Sequence, residues 1–343
     1  MSMRDSKNRP VRMILPSKGE LSDPTLDFLS RAGLKVVRPN PRQYDASIPA
    51  LSNVSVLFQR ASDIYDKVSE GTGDFGITGY DVVAERGMGE TNVVLMHENL
   101  GFGECELVLA VPDNWIDVTN FEDLAELALL YKERGDDFRI ATKYPNLTRN
   151  WLHDRGIYHF SMVQADGALE AAPNMGYAEM IVDVTTTGTT LRENRLKRIA
   201  QGTVLLSQAC LVGNRRLLKE NREALEIAKI ILELIEAHVR AKKFLSVTMN
   251  VQAESEEAIH RLLAKEKQLA GLRGPSIARV YAKNWGETNW FAANIVIERN
   301  LLPQAINYFR EIGGQNLIVT SLDYLFEPTS SHYESLLEKL KRG

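Results

Sequence analysis

The sequence predicts an α/β protein of two or three domains, in which strands alternate with helices up to about residue 243 and a β-α-β-β-α-β unit follows. Short apolar runs end in turns that contain glycine or proline, and stretches with helical spacing separate them. The order of the elements changes after Lys243. A chain of 343 residues is also longer than one ordinary domain.

The first predicted unit runs strand, loop, helix, strand. Residues 11–15 form an apolar run, which predicts a strand. Asp23 is the predicted helix N-cap with Pro24 at the first helical position, and Gly33 ends the helix. Residues 34–37 are the next predicted strand. This order favours α/β architecture with right-handed crossovers.

The same alternation continues along the chain. The further predicted strands cover residues 54–58, 75–78, 106–111, 138–141, 179–184 and 208–212. The further predicted helices cover residues 62–68 with Ser62 as cap, 121–134, 147–154 and 218–243. This alternation is typical of α/β architecture.

The last hundred residues have a different pattern. Strands are predicted at 245–251, 276–282, 290–298 and 316–320, with helices at 255–267 and 302–312. This is the ferredoxin-like order, so we expect a separate domain over 243–343.

Composition excludes several classes of protein. The 41 basic and 45 acidic residues give a net charge of −4, which gives no reason to expect nucleic acid or an anionic membrane as partner. Two cysteines are too few for a disulfide framework, and the six histidines lack the spacing of zinc ligands. No apolar run is long enough to cross a bilayer, and residues 1–10 do not read as a signal peptide. The cytosol is the expected location.

The most informative segment follows the predicted strand at 179–184. Asp183 lies at the end of this strand, and the loop behind it reads TTTGTT over residues 185–190. Ligands of open α/β sheets bind at such strand ends, and a glycine-containing loop before a helix directs backbone N–H groups toward an anion. Because an acid repels phosphate, Asp183 suits ribose hydroxyls or a hydrated Mg²⁺. The segment predicts a ribose-phosphate site; the alternative is a threonine-rich surface turn.

The loop resembles the phosphoribosyl pyrophosphate motif of phosphoribosyltransferases. Many of these enzymes have two adjacent acids before the loop, whereas Val182 precedes Asp183 here. The rest of the chain is similar to the ATP phosphoribosyltransferase family. Besides the loop, the segments that carry this resemblance are 15–21 (LPSKGEL), 60–64 (RASDI), 73–79 (GDFGITG), 100–107 (LGFGECEL), 139–146 (RIATKYPN) and 167–173 (GALEAAP).

The resemblance implies a catalytic region of two α/β lobes, like type II periplasmic binding proteins, with the site between them. The first catalytic lobe is expected over 1–110, completed by 205–242, and the second over 111–204. It implies the long form of the enzyme, which carries its own regulatory ferredoxin-like (ACT-like) domain; the short form lacks this domain and needs a partner subunit. The implied reaction displaces pyrophosphate from ribose C1 by N1 of ATP. Positioning and charge screening suffice for such a displacement, so no nucleophilic side chain is required.

The resemblance also assigns roles to residues. Thr186, Thr187, Gly188, Thr189 and Thr190 are expected to bind the 5′-phosphate of phosphoribosyl pyrophosphate, with Asp183 on the ribose. Lys18 and Arg60 are candidates for the pyrophosphate, the alternative being solvated surface cations. Glu170 is a candidate for the ribose or a magnesium-bound water, the alternative being an ordinary exposed carboxylate. Asp81 is a weaker candidate. Mg²⁺ is the expected cofactor, held mainly by substrate phosphates.

Two further ligands are implied. ATP is expected at Thr142, Lys143 and Tyr144, where the ring of Tyr144 suits stacking on adenine; the alternative is that Tyr144 packs under the loop. Histidine is expected as feedback inhibitor at Thr248, Leu272, Gly274 and Ser276, the alternative being a plain turn. Family members of the long form are hexamers that change compactness with histidine, so a homo-hexamer is expected.

Two other functions stay open on the sequence alone. A non-catalytic solute-binding protein of the same fold would share the lobes. A different phosphoribosyltransferase, such as one acting on a pyrimidine, would share the loop.

Overall fold

The computed structural model describes residues 9–38, 40, 45–89, 92–163, 169–281 and 288–342. Its strands are β1 (Val11–Pro16), β2 (Asp45–Ser47), β3 (Val54–Gln59), β4 (Phe75–Gly79), β5 (Val93–His97), β6 (Cys105–Pro112), β7 (Arg139–Thr142), β8 (Ser161–Val163), β9 (Met180–Thr185), β10 (Leu196–Ser207), β11 (Ala209–Asn214), β12 (Phe244–Gln252), β13 (Ser276–Arg279), β14 (Trp290–Glu298) and β15 (Gln315–Ser321). Its α-helices are α1 (Ser22–Arg31), α2 (Ala61–Ser69), α3 (Tyr80–Arg86), α4 (Phe121–Arg134), α5 (Pro145–His153), α6 (Thr189–Glu193), α7 (Arg215–Glu220), α8 (Arg222–Ala241), α9 (Glu256–Leu263), α10 (Leu302–Glu311) and α11 (Ser331–Lys341).

The described residues fall into two compact units. One contains those of 1–30, 34–228 and 332–343, and the other contains those of 31–33 and 229–331. The division falls inside α8, between Ala228 and Lys229. The sequence placed the corresponding boundary near residue 243 and kept the chain after it together, whereas the structure groups the residues from His332 onward with the larger unit.

The first lobe of the larger unit is built on a sheet with the strand order β2-β3-β1-β4-β11-β5. Strands β3, β1 and β4 are parallel, so their carboxyl ends share one edge. Apolar side chains on β1, α2 and β11 form a core, which includes Ile14, Ile64 and Val212. A parallel sheet covered by helices explains why β1 and β4 are buried along almost their whole length.

The second lobe is built on a sheet with the order β10-β6-β9-β7-β8. The chain enters this sheet between β5 and β6 and leaves it at Gln208, between β10 and β11. Helix α4 begins at a capping box between Asn120 and Asp123, and it packs on the sheet through Leu124 and Ala128. The two-lobed α/β fold expected for the catalytic region is confirmed.

The smaller unit has a sheet with the order β13-β14-β12-β15, in which each neighbouring pair is antiparallel. Alternate residues of β12 and β14 are buried, and helices α9 and α10 cover that face through Ile259, Ala305 and Phe309. The chain order β12-α9-β13-β14-α10-β15 confirms the predicted ferredoxin-like fold.

Four local predictions were wrong. Asp23 is not the cap of α1, because that helix begins before it, at Ser22. Residues 34–37 are not a strand, because Val37 forms only an isolated bridge with Ser47. Ser62 does not cap α2, which begins at Ala61 after Arg60. The predicted helix over 218–243 is two helices, because the Asn221 side chain accepts the backbone N–H groups of Glu223 and Ala224 and so starts α8 anew.

Within the described ranges, no helix combines the length and the apolar character that a membrane crossing needs.

Candidate active site

Three residues of the first lobe follow neighbouring parallel strands at one edge of their sheet. Pro16 pairs with Gln59 at the ends of β1 and β3, and the Ser17 N–H donates to the Gln59 carbonyl at 2.7 Å. Lys18 and Arg60 therefore emerge beside each other, and both are exposed. Asp81 follows the end of β4, the next strand in the sheet, and is buried. Crevices at such edges are where α/β sheets bind ligands.

The second lobe offers a similar edge, where β7 and β9 end side by side. Thr142 pairs with Val182, one residue before Asp183. The Thr142 hydroxyl donates to the Val182 carbonyl at 2.8 Å and accepts the Tyr144 N–H at 2.9 Å. Thr142 is buried, so these contacts orient the following turn, where Lys143 is exposed.

Asp81 connects the two edges. Its Oδ2 accepts the Tyr144 hydroxyl at 2.6 Å, and its Oδ1 accepts the Ser207 hydroxyl at 2.7 Å. The Asp81 backbone N–H also donates to Ser207 Oγ at 2.9 Å. Both hydroxyls belong to the second lobe, so the two strand edges face each other across this acid.

Asp183 is a buried acid near the end of β9, with 9% of its surface exposed. Burial raises the pKa of Asp183, and the negative charges of Glu170 and Asp81 act in the same direction. The Val184 N–H, which donates to Asp183 Oδ1 at 2.8 Å, and the charge of Lys143 lower that pKa. Glu170, Asp81 and Lys143 are therefore all electrostatic neighbours of Asp183.

Tyr144 joins the same group. Burial raises the pKa of its phenol, and the charges of Asp81 and Asp183 add to the effect. Its ring packs against the apolar core of the second lobe. The ring of Tyr144 is thus held within the second lobe, and its stacking on adenine stays a prediction.

The threonine loop connects β9 to the short helix α6. Gly188 has φ of +71°, a left-handed conformation that side chains other than glycine rarely adopt, and its N–H donates to Thr185 Oγ1 at 2.9 Å. The hydroxyls of Thr187 and Thr189 are 2.9 Å apart, and Arg192 donates to Thr189 Oγ1 at 3.2 Å. The loop thus concentrates exposed hydroxyls and a cation around one turn.

A cavity of about 430 Å³ lies beside the loop. The residues that line it come from the second lobe and from the two segments that connect the lobes: Asn99, Glu104, Cys105, Glu106, Thr186, Leu206, Ser207 and Gln208. Burial raises the pKa of the Cys105 thiol to about 11, so this thiol is neutral at physiological pH. An anionic ligand at Thr186 would therefore contact hydroxyls and a neutral thiol as well as the acids Glu104 and Glu106.

The structure thus brings together Asp183, Glu170, Lys143 and Tyr144 of the predicted residues. Lys18 and Arg60 lie on the facing edge, and the role of each stays a prediction. Of the predicted segment 167–173, residues 167 and 168 lie outside the described residues.

In the smaller unit, two of the residues predicted to bind histidine lie on either side of Asn294. Thr248 pairs with Asn294 from β12, and Ser276 pairs with it from β13. Asn294 Nδ2 donates to Thr248 Oγ1 at 2.7 Å and to Ser246 Oγ at 2.9 Å. Gly274 has φ of +112°, and Leu272 is exposed before it.

Sequence reasoning missed Asn294, Ser207 and Glu85, and it gave Asp81 only as a weaker candidate. Glu85 accepts the backbone N–H groups of Asn146 and Leu147, some 60 residues along the chain. No local sequence pattern indicates partners that are so distant along the chain. The only signal for Asp81 was its place just after a buried strand.

Fold and site together define a two-lobed α/β protein in which a threonine-rich loop and a buried acid share one strand end. A family model described as ATP phosphoribosyltransferase matches residues 60–236, and the model of that family's C-terminal domain matches residues 241–324. The chain belongs to the ATP phosphoribosyltransferase family. It is a pentosyltransferase of the first step of histidine biosynthesis.

Relatives support this membership over nearly the full length. The chain is 39% identical to ATP phosphoribosyltransferase 2, chloroplastic, of Arabidopsis thaliana, over 96% of this chain and 80% of the relative. It is 35% identical to ATP phosphoribosyltransferase of Bradyrhizobium diazoefficiens, over 97% of this chain and 99% of the relative. Neither alternative function is favoured by these names.

Among solved structures, the chain is similar to one from the ATP phosphoribosyl transferase (HisG:HisZ) complex of Thermotoga maritima. The identity is 25% and the TM-score is 0.50, over 66% of this chain and 98% of that chain. A third of this chain therefore has no counterpart in that structure.

Proposed function

We propose that the cleft between the two lobes binds phosphoribosyl pyrophosphate and ATP and transfers the 5-phosphoribosyl group to N1 of the adenine. The bond between ribose C1 and the pyrophosphate oxygen breaks, and a bond between C1 and N1 forms. The leaving pyrophosphate takes the bonding electrons. Catalysis then consists of holding the two substrates in line and screening the departing charge.

One observation carries the proposal: the buried acid and the threonine loop share a strand end that borders a cavity where the chain crosses between the two lobes. The residues Thr186 to Thr190 offer hydroxyl and backbone N–H donors to the 5′-phosphate. Asp183 has a second carboxylate oxygen beyond the one that accepts the Val184 N–H, and this oxygen suits a ribose hydroxyl. Lys18 and Arg60, on the facing edge, suit the pyrophosphate.

ATP is proposed to lie against the turn at Lys143 and Tyr144. Lys143 is exposed and suits the triphosphate, and the ring of Tyr144 suits the adenine. Thr142 is buried with its hydroxyl engaged on both sides, so we propose that it shapes the turn for ATP from within.

Mg²⁺ is the proposed cofactor. It prefers oxygen ligands, and the neighbouring carboxylates of Asp183 and Glu170 fit that preference beside substrate phosphates. When bound, it would neutralise part of the phosphate charge. Loss of turnover with a chelator and its return with Mg²⁺ test this; full activity in the chelator argues against it.

Regulation is proposed for the smaller unit, with histidine bound near Thr248 and Ser276, on either side of Asn294, and near the turn at Leu272 and Gly274. Hydroxyl and amide groups at this place suit an amino acid's polar ends. A homo-hexamer is proposed as well, and sedimentation with and without histidine tests its size. The cytosolic location expected from the sequence stays a prediction.

The test of the reaction is absorbance near 290 nm, where phosphoribosyl-ATP is expected to absorb. The chain is mixed with ATP, phosphoribosyl pyrophosphate and Mg²⁺, and pyrophosphate release is measured in parallel. Growth of the signal with ATP but not with orotate or free purines supports the proposal. Pyrophosphate release with orotate in place of ATP would refute it.

A further inference from the structure

Helix α3 of the first lobe carries two buried acids, Asp81 and Glu85, one helical turn apart. The carboxylate of Asp81 accepts hydroxyls of the second lobe, as described above. Glu85 reaches the same lobe at a different place, the beginning of α5.

The Glu85 carboxylate occupies the N-terminus of α5. Its Oε1 accepts the Asn146 N–H and its Oε2 accepts the Leu147 N–H, both at 2.9 Å. The Asn146 side-chain amide also donates to the Glu85 carbonyl at 3.2 Å. The first N–H groups of a helix have no partner within the helix, and α5 has no side-chain cap of its own from Tyr144. Glu85 therefore acts as a cap supplied by the other lobe.

The capped turn adjoins the proposed ATP contacts. Lys143 and Tyr144 directly precede Pro145, the first residue of α5. Asp81 holds the Tyr144 hydroxyl and Glu85 holds the next two N–H groups, so the segment 144–147 is fixed at both ends by α3. A carboxylate also complements the positive end of the helix dipole.

We infer that Glu85 is a positioning residue for ATP: by capping α5 from the opposite lobe, it fixes the turn at Lys143 and Tyr144 in the place where ATP binds. It does not touch the substrates. This inference rests on the proposed function, because it takes ATP to lie at that turn.

The position of Glu85 predicts an effect on one substrate. The threonine loop follows β9, whereas the cap holds the segment after β7, so phosphoribosyl pyrophosphate should bind as before. General loss of folded protein would lower kcat and leave both KM values unchanged. A rise in KM for ATP alone is therefore what distinguishes positioning from mere stabilisation.

The experiment measures both KM values in the full chain for Glu85→Ala and Glu85→Gln. Glu85→Ala should raise KM for ATP about tenfold, the order of one helix cap's contribution, and change KM for phosphoribosyl pyrophosphate less than about twofold. Glu85→Gln keeps one acceptor oxygen and should lie between the wild type and Glu85→Ala. Glu126→Ala, which removes an exposed acid from α4, is the matched control and should change neither value.

Equal changes in both KM values, or no change in KM for ATP, would overturn the inference while the proposed reaction stands. Calorimetric Kd values for ATP, measured without turnover, separate the other case. If the wild type shows no 290 nm product but Glu85→Ala still weakens ATP binding, the proposed reaction fails and the role of Glu85 stands. If the wild type binds no ATP, both fail.

Discussion

The Tyr144 hydroxyl offers the sharpest test of how the lobes are joined. Tyr144→Phe removes only the oxygen that donates to Asp81 at 2.6 Å, and it keeps the ring in the core of the second lobe. Hydrogen bonds to charged groups contribute about 1.5–3 kcal/mol to stability. For a unit of this size, that loss corresponds to a Tm lower by roughly 3–12 °C.

Differential scanning calorimetry of the full chain measures this shift, and Tyr177→Phe is the control. Tyr177 is 62% exposed, so removal of its hydroxyl should leave the Tm of the wild type. Because Tyr144→Phe keeps the ring, it should bind ATP more tightly than Tyr144→Ala does. A Tyr144→Phe variant with the wild-type Tm would show that the hydrogen bond between Tyr144 and Asp81 does not stabilise the protein, and would refute the reasoning.

Three further variants test the substrate site. Asp183→Asn should lower turnover at least about a hundredfold. Because burial raises the folded-state pKa of Asp183, the wild type loses stability as the pH rises through that pKa, and the uncharged asparagine does not. The variant should therefore gain Tm relative to the wild type as the pH rises, and lose this gain at lower pH. Gly188→Val forces a side chain to φ of +71° and should weaken phosphoribosyl pyrophosphate binding; Gly135→Val, with φ of +73° at the end of α4, should cost similar stability without that effect. Arg60→Ala should raise KM for phosphoribosyl pyrophosphate about tenfold, whereas Arg134→Ala should not. Unchanged turnover in Asp183→Asn, equal binding in the two glycine variants, or equal KM values in the two arginine variants would each contradict the corresponding assignment.

Much of the fold could be predicted because its strands are local apolar runs. Strand β14 and helix α4 have the predicted bounds, because the alternation of apolar and polar residues in the strand and the capping sequence of the helix are local patterns. Strand β10 was missed because its polar residues and its irregular pairing with β6 leave no clear period of two. The break at Asn221 was missed because helical spacing continues across it, and only the side-chain hydrogen bonds mark the new start.

The candidate site divides in the same way. Asp183 and the threonine loop are contiguous, so the sequence pointed to them directly. Asp81 and Glu85 act through partners that meet them only when the second lobe folds against the first. Asn294 is similar, because its neighbours Thr248 and Ser276 come from two other strands. Sequence therefore pointed to the candidate loop but not to the residues that hold its surroundings in place.

A crystal structure of the chain with phosphoribosyl pyrophosphate and Mg²⁺ tests the central claim most directly. The account predicts the 5′-phosphate within hydrogen-bond distance of the Gly188 and Thr189 backbone N–H groups, with a ribose hydroxyl against Asp183. A sugar phosphate bound elsewhere, with the turn at Gly188 in contact with solvent alone, would contradict it.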